Sequence, residues 1–349
     1  MAVQKLNVEA FLELAQNYPV LDVRSPGEYK HARIPGAHSM PLFSDEERKV
    51  VGTAYKQQSR EKAIKVGLDY FGPKMRPFVE QAEALTSDQL NPSKTILVHC
   101  WRGGMRSGAI AWLLDLYGFK VYSLVGGYKK FRNWVIDYHK SSHQLSLLGG
   151  YTGSGKTWVL KELAKSELVL DLEALASHKG STFGHLGMPE QPTQEQFENL
   201  LSYHLYFLKK KNADAPVWLE DESQRIGHVN IPHAFWAQMR AAPLLFLDIP
   251  FEKRLEYLEL EYGSLDKEKM VESIERIQKR LGPLETKTAI AFLREGNIKE
   301  SFRILLKYYD KYYTKGLLNR ADLKDQLKKI ECADVNALAT IERIKQVYE

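Results

Sequence analysis

The stretch that most restricts how this chain can fold is Gly150-Tyr151-Thr152-Gly153-Ser154-Gly155-Lys156-Thr157, which fits G-x-x-x-x-G-K-T. Residues 144–148 ahead of it are apolar-rich and read as a strand, and a helical pattern starts at Trp158. A strand that turns through glycines into a helix aims its backbone N–H groups at one spot, where they wrap a phosphate. Gly150, Gly153 and Gly155 permit that path, Ser154 lies inside it, and Lys156 supplies a point charge. Thr157 is placed to bind a Mg²⁺. The motif reports a bound di- or triphosphate. It does not report hydrolysis, and it does not name the metal.

Further strands are expected at residues 168–171, 217–219 and 244–248, with a helix over 197–208. That alternation makes an α/β domain with a mostly parallel sheet. Glu220, Asp221 and Glu222 follow the third strand and are the candidates for an acidic position facing the phosphate loop. Three adjacent acids cannot all be ligands, so one of Glu220 and Asp221 is expected in the site and the others exposed. Asp171 closes the strand after the phosphate-loop helix, where nucleotide kinases often keep a substrate-handling acid. Residues 177–185 are glycine-rich and polar and read as a substrate loop, with His178 and His185 more simply structural. From Phe251 onward the pattern is helical and charged, with Pro283 as the main break. Arg276, Lys279 and Arg280 read either as a cationic lid over phosphates or as a solvated face. Lys307, Tyr308, Tyr309, Lys311, Tyr312 and Tyr313 read either as an RNA surface or as a packed helix stripe. Cys332 is placed in a late polar helix, as a bystander.

A second chemical signal stands upstream. Residues 95–98 form a short apolar strand candidate, and Cys100-Trp101-Arg102-Gly103-Gly104-Met105-Arg106-Ser107 follows it. Ile110, Leu113, Leu114 and Tyr117 then mark one face of a helix. Cys100 therefore sits on a strand-to-helix turn, where converging N–H groups and the positive helix end lower a thiol's pKa. Arg106, at the loop exit, has the fork that holds an oxyanion bidentately. The Cys-x5-Arg spacing is shared by rhodaneses and cysteine phosphatases, both of which carry an anionic group on the sulfur. The chain has only two cysteines, which gives no disulfide framework and suits a reducing, cytoplasmic setting. No apolar run is long enough to span a bilayer. The net charge of +5 permits a nucleic-acid partner without implying one.

Residues 20–23 read as a strand after a helix carrying Val8, Phe11, Leu12 and Ala15. The following Asp22-Val23-Arg24-Ser25-Pro26-Gly27-Glu28-Tyr29, and then His31-Ala32-Arg33-Ile34-Pro35-Gly36-Ala37, resemble the first half of a rhodanese domain. Asp22 and Arg24 are expected to brace the loop as an internal salt bridge. Residues 44–76 read as a charged helical insertion, and residues 121–124 as the last strand of this domain. Lys129, Lys130 and Arg132 interleave with Phe131 and Trp134, either as an RNA surface or as a helix with its aromatics inward. The expected fold class is α/β throughout: a rhodanese-like domain over 1–138, then a P-loop NTPase-like domain with a helical C-terminal region over 139–349.

A rhodanese-like thiol domain joined to a P-loop domain resembles the bacterial tRNA 2-selenouridine synthases. The resemblance rests on residues 22–29, 100–107 and 150–157, and on Glu220-Asp221-Glu222-Ser223 followed by Ile226-Gly227. It implies a transferase acting on tRNA with a wobble 2-thiouridine. Geranyl diphosphate first alkylates the sulfur; selenium from selenophosphate then displaces the geranylthio group. On that reading Lys156 and Thr157 bind the diphosphate or phosphate, Cys100 is the nucleophile that handles selenium or accepts the displaced group, and Arg102 and Arg106 hold selenophosphate at Cys100. Two rival readings stand beside it. One is a sulfurtransferase joined to a nucleotide-dependent kinase or ATPase for small molecules; the other is a nucleotide-switched binding module.

Overall fold

The computed structural model describes residues 3–87, 94–181, 183–263, 265–320 and 323–348. Thr182, in the expected substrate loop, lies outside them. The chain divides into two compact units, residues 1–138 and 139–349.

The first unit is built on a five-stranded sheet of β1 (Gln4–Leu6), β2 (Val20–Asp22), β3 (His38–Ser39), β4 (Thr95–His99) and β5 (Lys120–Leu124). Their order is β1-β5-β4-β2-β3, and every pairing is parallel. β4 is buried along its whole length because it is the middle strand, which is why it reads as an unbroken apolar run. β2 leads outward to β3 and β4 leads the other way to β5. Cys100 leaves the carboxyl end of β4, where such a reversal opens a crevice.

Helix Val8–Leu14 starts on Asn7, whose side chain accepts from Ala10 N, and buries Val8, Phe11 and Leu12. Helix Met105–Tyr117 buries Ile110, Leu113 and Leu114 as their spacing requires. Tyr117 does not join them: it lies in the last turn, is 49% exposed, and donates its hydroxyl to Glu83. The charged segment folds as helices Asp45–Gln57 and Arg60–Phe71, the first opened by a Ser44–Glu47 capping box.

Asp22 and Arg24 form the expected salt bridge, and both are almost fully buried. Arg24 also donates to the Ala32 carbonyl and lies 3.8 Å over the Tyr128 ring. Burial opposes the Asp22 charge, but His99 and Arg24 outweigh it and hold the carboxyl below its usual range. Replacing Arg24 by Met strands a carboxylate in the core and should cost about 3–5 kcal/mol in urea unfolding at neutral pH. Because the folded-state pKa of Asp22 is depressed, the wild-type contribution is present above about pH 4 and fades as pH falls through the folded value. The difference between Arg24→Met and wild type should therefore shrink in acid; a constant gap from neutral to acid pH contradicts this assignment.

The second unit carries β6 (Leu145–Gly150), β7 (Leu168–Val169), β8 (Val217–Glu220), an antiparallel hairpin of β9 (Arg225–Ile226) and β10 (Val229–Asn230), then β11 (Leu244–Asp248) and β12 (Leu327–Glu331). Its main sheet runs β12-β11-β6-β8-β7, all parallel. β6 is central and ends in the phosphate loop. β12 corrects the expectation of an all-helical tail. It pairs with β11 from Leu244–Leu327 to Asp248–Glu331. Its sequence hides it: an edge strand bearing exposed Lys328, Lys329 and Glu331 has no apolar run to betray it. Cys332 consequently follows a strand and is buried in the core with Leu148, Val159 and Leu160, where burial pushes its thiol up. The rest of the tail is helical, including Phe251–Tyr262, Pro283–Arg294, with Pro283 in the first turn, and Ile298–Leu318. Among the described residues no helix is long and apolar enough to cross a membrane.

Candidate active site

The Cys100 loop is shaped from two directions. Gly103 has φ +64°, and a Cβ there would sit 2.6 Å from the Leu124 carbonyl oxygen. Gly127, at φ +58°, comes up from the next segment so closely that a Cβ would collide with the Cys100 carbonyl. Tyr128 N and Lys129 N donate to the carbonyls of Cys100 and Trp101, pinning the loop. Cys100 is 3% exposed and its Sγ lies 3.2 Å from Ser107 Oγ. Burial alone raises the thiol pKa. Hydrogen bonds from Ser107 Oγ and from the N–H groups of Ser107, Gly104 and Arg102 outweigh burial and hold the thiol below its usual range.

Arg102 is exposed beside this loop. Arg106, expected as a bidentate anion holder, places its fork on Glu28, with Nη1 2.7 Å from Oε2 and Nη2 3.4 Å from Oε1. Glu28 also accepts from Ser25 N, so Arg106 ties the two characteristic segments of this unit together. The aromatic and basic segment after β5 packs inward. Phe131 is buried, stacked on Trp134, and Trp134 donates to Glu9.

In the second unit, Gly153, Ser154, Gly155, Lys156, Thr157, Glu220 and Asp221 come together around a cavity of about 500 Å³. Lys156 Nζ donates to the Gly150 carbonyl at 2.8 Å and stands 3.4 Å from Glu220 Oε1. Ser154 Oγ is buried without a hydrogen-bond partner, a donor that an anion in the loop can use. The remaining acids differ from expectation, since neither Asp221 nor Glu222 is exposed. Asp221 accepts from Tyr313 and from Arg320, so it fastens the tail helix. Asp171 does not line the cavity: it caps helix Leu172–Ala176, accepting from Ala174 N at 2.9 Å.

The acid that completes the site is Glu173, in the first turn of that helix. Oxygens of Glu173, Glu220 and Glu222 lie within 4.8 Å of one another. Burial, and then the neighbouring carboxylates, push Glu173 up to about 10 and Glu222 up to about 8. A hard-oxygen set of this kind suits Mg²⁺. The loop is also held from outside the motif. Arg254 donates to Thr152 O and pairs with Asp310, and Tyr313 accepts from Gly150 N. Of residues 177–185, Lys179, Gly180 and Ser181 line the cavity, while His178 and His185 do not. Arg280 lines it too, but Arg276 is paired with Glu272 and His185. Tyr308, Tyr309, Tyr312 and Tyr313 form one cavity wall, with Tyr308 and Tyr312 rings 4.7 Å apart.

Residues 143–336 match the family described as the tRNA 2-selenouridine synthase AAA domain, and residues 7–133 match the rhodanese-like domain. A tRNA 2-selenouridine synthase of Sulfurovum sp. is 35% identical over 329 residues, covering 85% of this chain and 88% of that one. The chain belongs to the tRNA 2-selenouridine synthase family. Another member, from Shewanella halifaxensis, is 32% identical over 92% of this chain and 95% of its own. A third, from Nitrosomonas europaea, is 37% identical over 70% of this chain, which spans 63% of that relative's length. Within this family member the two glycine-guided loops each leave the carboxyl end of a central parallel strand, one carrying a thiol and the other an ammonium group.

Proposed function

We propose that this chain is a tRNA-modifying transferase that converts wobble 2-thiouridine to 2-selenouridine through an S-geranyl intermediate. Geranyl diphosphate and selenophosphate are its co-substrates. The observation that carries the reading is the pairing, in one family member, of an acidified thiol loop with a lysine-bearing phosphate loop.

The thiocarbonyl sulfur attacks C1 of the geranyl group, and the C–O bond breaks toward the diphosphate. Lys156 and the N–H groups of residues 153–157 take up the developing charge. Glu173, Glu220 and Glu222, with Thr157, are the side chains that would hold a Mg²⁺, which would add positive charge to stabilise the leaving diphosphate. Tyr257, Tyr308 and Tyr312 offer an apolar wall to the prenyl chain. Alkylation makes C2 more electrophilic and gives it a thiolate leaving group in place of a thiocarbonyl. Selenium from selenophosphate then replaces the geranylthio group, with Cys100 as the thiolate of this stage and Arg102 as the exposed cation toward the selenophosphate dianion.

Mass analysis of nucleosides tests the order. Thiolated tRNA with geranyl diphosphate alone should yield S-geranyl-2-thiouridine, and both co-substrates together should yield 2-selenouridine. Selenouridine formed without geranyl diphosphate removes the intermediate, and unaltered nucleosides under all conditions reject the reading.

A further inference from the structure

A selenophosphate ion offers the Cys100 thiolate two electrophilic atoms. Attack on selenium would put selenium on the cysteine at the level of a persulfide and expel phosphorus as phosphite, and a reductant would then be needed to recover selenide. Attack on phosphorus needs no such partner. The phosphorus stays at the phosphate level, and selenium leaves at the oxidation level that 2-selenouridine carries.

The surroundings of Cys100 suit the second course. Sγ lies 3.2 Å from Ser107 Oγ in a loop folded tightly at Gly103 and Gly127, and the backbone of Arg102, Gly104 and Ser107 favours negative charge there, so a phosphoryl group on the sulfur meets donors. Helix Met105–Tyr117 begins at Gly104 with no side-chain cap, leaving its first N–H groups for an anion. Arg102 adds an exposed guanidinium. The carboxylate tied into the loop, Glu28, accepts from Arg106 and Ser25, and these bonds outweigh its burial and hold it ionised. It therefore has no proton to give. HSe⁻ leaves without a general acid, whereas an alkoxide does not.

We propose that Cys100 attacks the phosphorus of selenophosphate, forming a phosphocysteine and releasing selenide for C2 of the alkylated uridine. The S–P bond forms as P–Se breaks, and the electron pair leaves on selenium as HSe⁻. Water then attacks phosphorus, S–P breaks with its pair returning to Sγ, and dihydrogen phosphate departs. Both steps balance without oxidant or reductant. Ser107, whose hydroxyl sits 3.2 Å from Sγ, stabilises the thiolate as it leaves in the second step. The identity of the phosphoryl donor rests on the function proposed above; the loop chemistry does not.

The test uses the full chain with selenophosphate carrying radioactive phosphorus, rapid quenching and peptide mapping. Label is expected on the Cys100 peptide, lost in Cys100→Ser, and about ten- to a hundredfold longer-lived in Ser107→Ala, which lacks the hydrogen bond to the leaving sulfur. Cys100-dependent cleavage of p-nitrophenyl phosphate, whose leaving group also needs no acid, supports the same course. A selenium isotope pattern on the Cys100 peptide overturns the proposal. So does an unlabelled peptide in Ser107→Ala under conditions where selenouridine still forms. Labelled Cys100 with no change in any tRNA nucleoside supports the phosphocysteine and rejects the tRNA reading, so the two fail separately.

Discussion

Cys100→Ser should abolish selenouridine formation, by about a thousandfold or more, while leaving S-geranylation of thiolated tRNA at its wild-type rate. The asymmetry follows from where the residue sits. Its sulfur lies 3.2 Å from Ser107 Oγ, and Ser107 together with the backbone of Arg102, Gly104 and Ser107 holds the thiol below its usual range. A serine hydroxyl at that place keeps the shape but stays protonated at neutral pH, so the loop loses its nucleophile. The fold should survive, because the loop is held by Gly127, Tyr128 N and Lys129 N acting on backbone atoms. The measurement is single-turnover nucleoside analysis starting from pre-geranylated tRNA. Normal selenation by Cys100→Ser would remove the thiol from the chemistry.

Lys156→Ala should show the opposite pattern: geranyl transfer reduced about a hundred- to a thousandfold, and selenation of pre-geranylated tRNA intact. Lys156 is the charge that reaches both the Gly150 carbonyl and Glu220, at the mouth of the loop where a diphosphate would be cradled. Its removal also leaves Glu220 buried without its cation. Glu220 already has a raised pKa from burial, so it should take up a proton. Calorimetry with inorganic diphosphate gives an independent readout, in which the variant should lose most of its affinity. Unchanged geranylation would mean that the phosphate loop serves some other ligand.

Both loops were legible because their signals are local. A strand, a glycine turn and a helix start within ten residues leave a readable pattern, and the Asp22–Arg24 brace needs only two residues. What sequence reasoning missed depends on folding at a distance. Glu28 and Arg106 are 78 positions apart, and only the sheet brings them together. Glu173 sits in a short helix whose sequence gives no sign of its partners Glu220 and Glu222. Tyr313, Arg254 and Arg320 lie in the tail, and their contacts with the phosphate loop and Asp221 arise only when that tail wraps back. The tyrosines of residues 307–313 were visible as a group, but which way they face is a tertiary fact; they wall the cavity.

One edge strand of the second sheet comes from residues 327–331, 177 positions after the end of β6 at Gly150, and Val335 just beyond it packs so closely on Gly155 that no side chain fits there. Synthesis on a ribosome therefore delivers the glycine turn of residues 150–157 long before Val335, which packs on it. A nascent chain halted ahead of residue 327 exposes the flank of β11 to unwanted pairing with other strands, so the sheet beside the loop is closed only once residues 327–331 are in place.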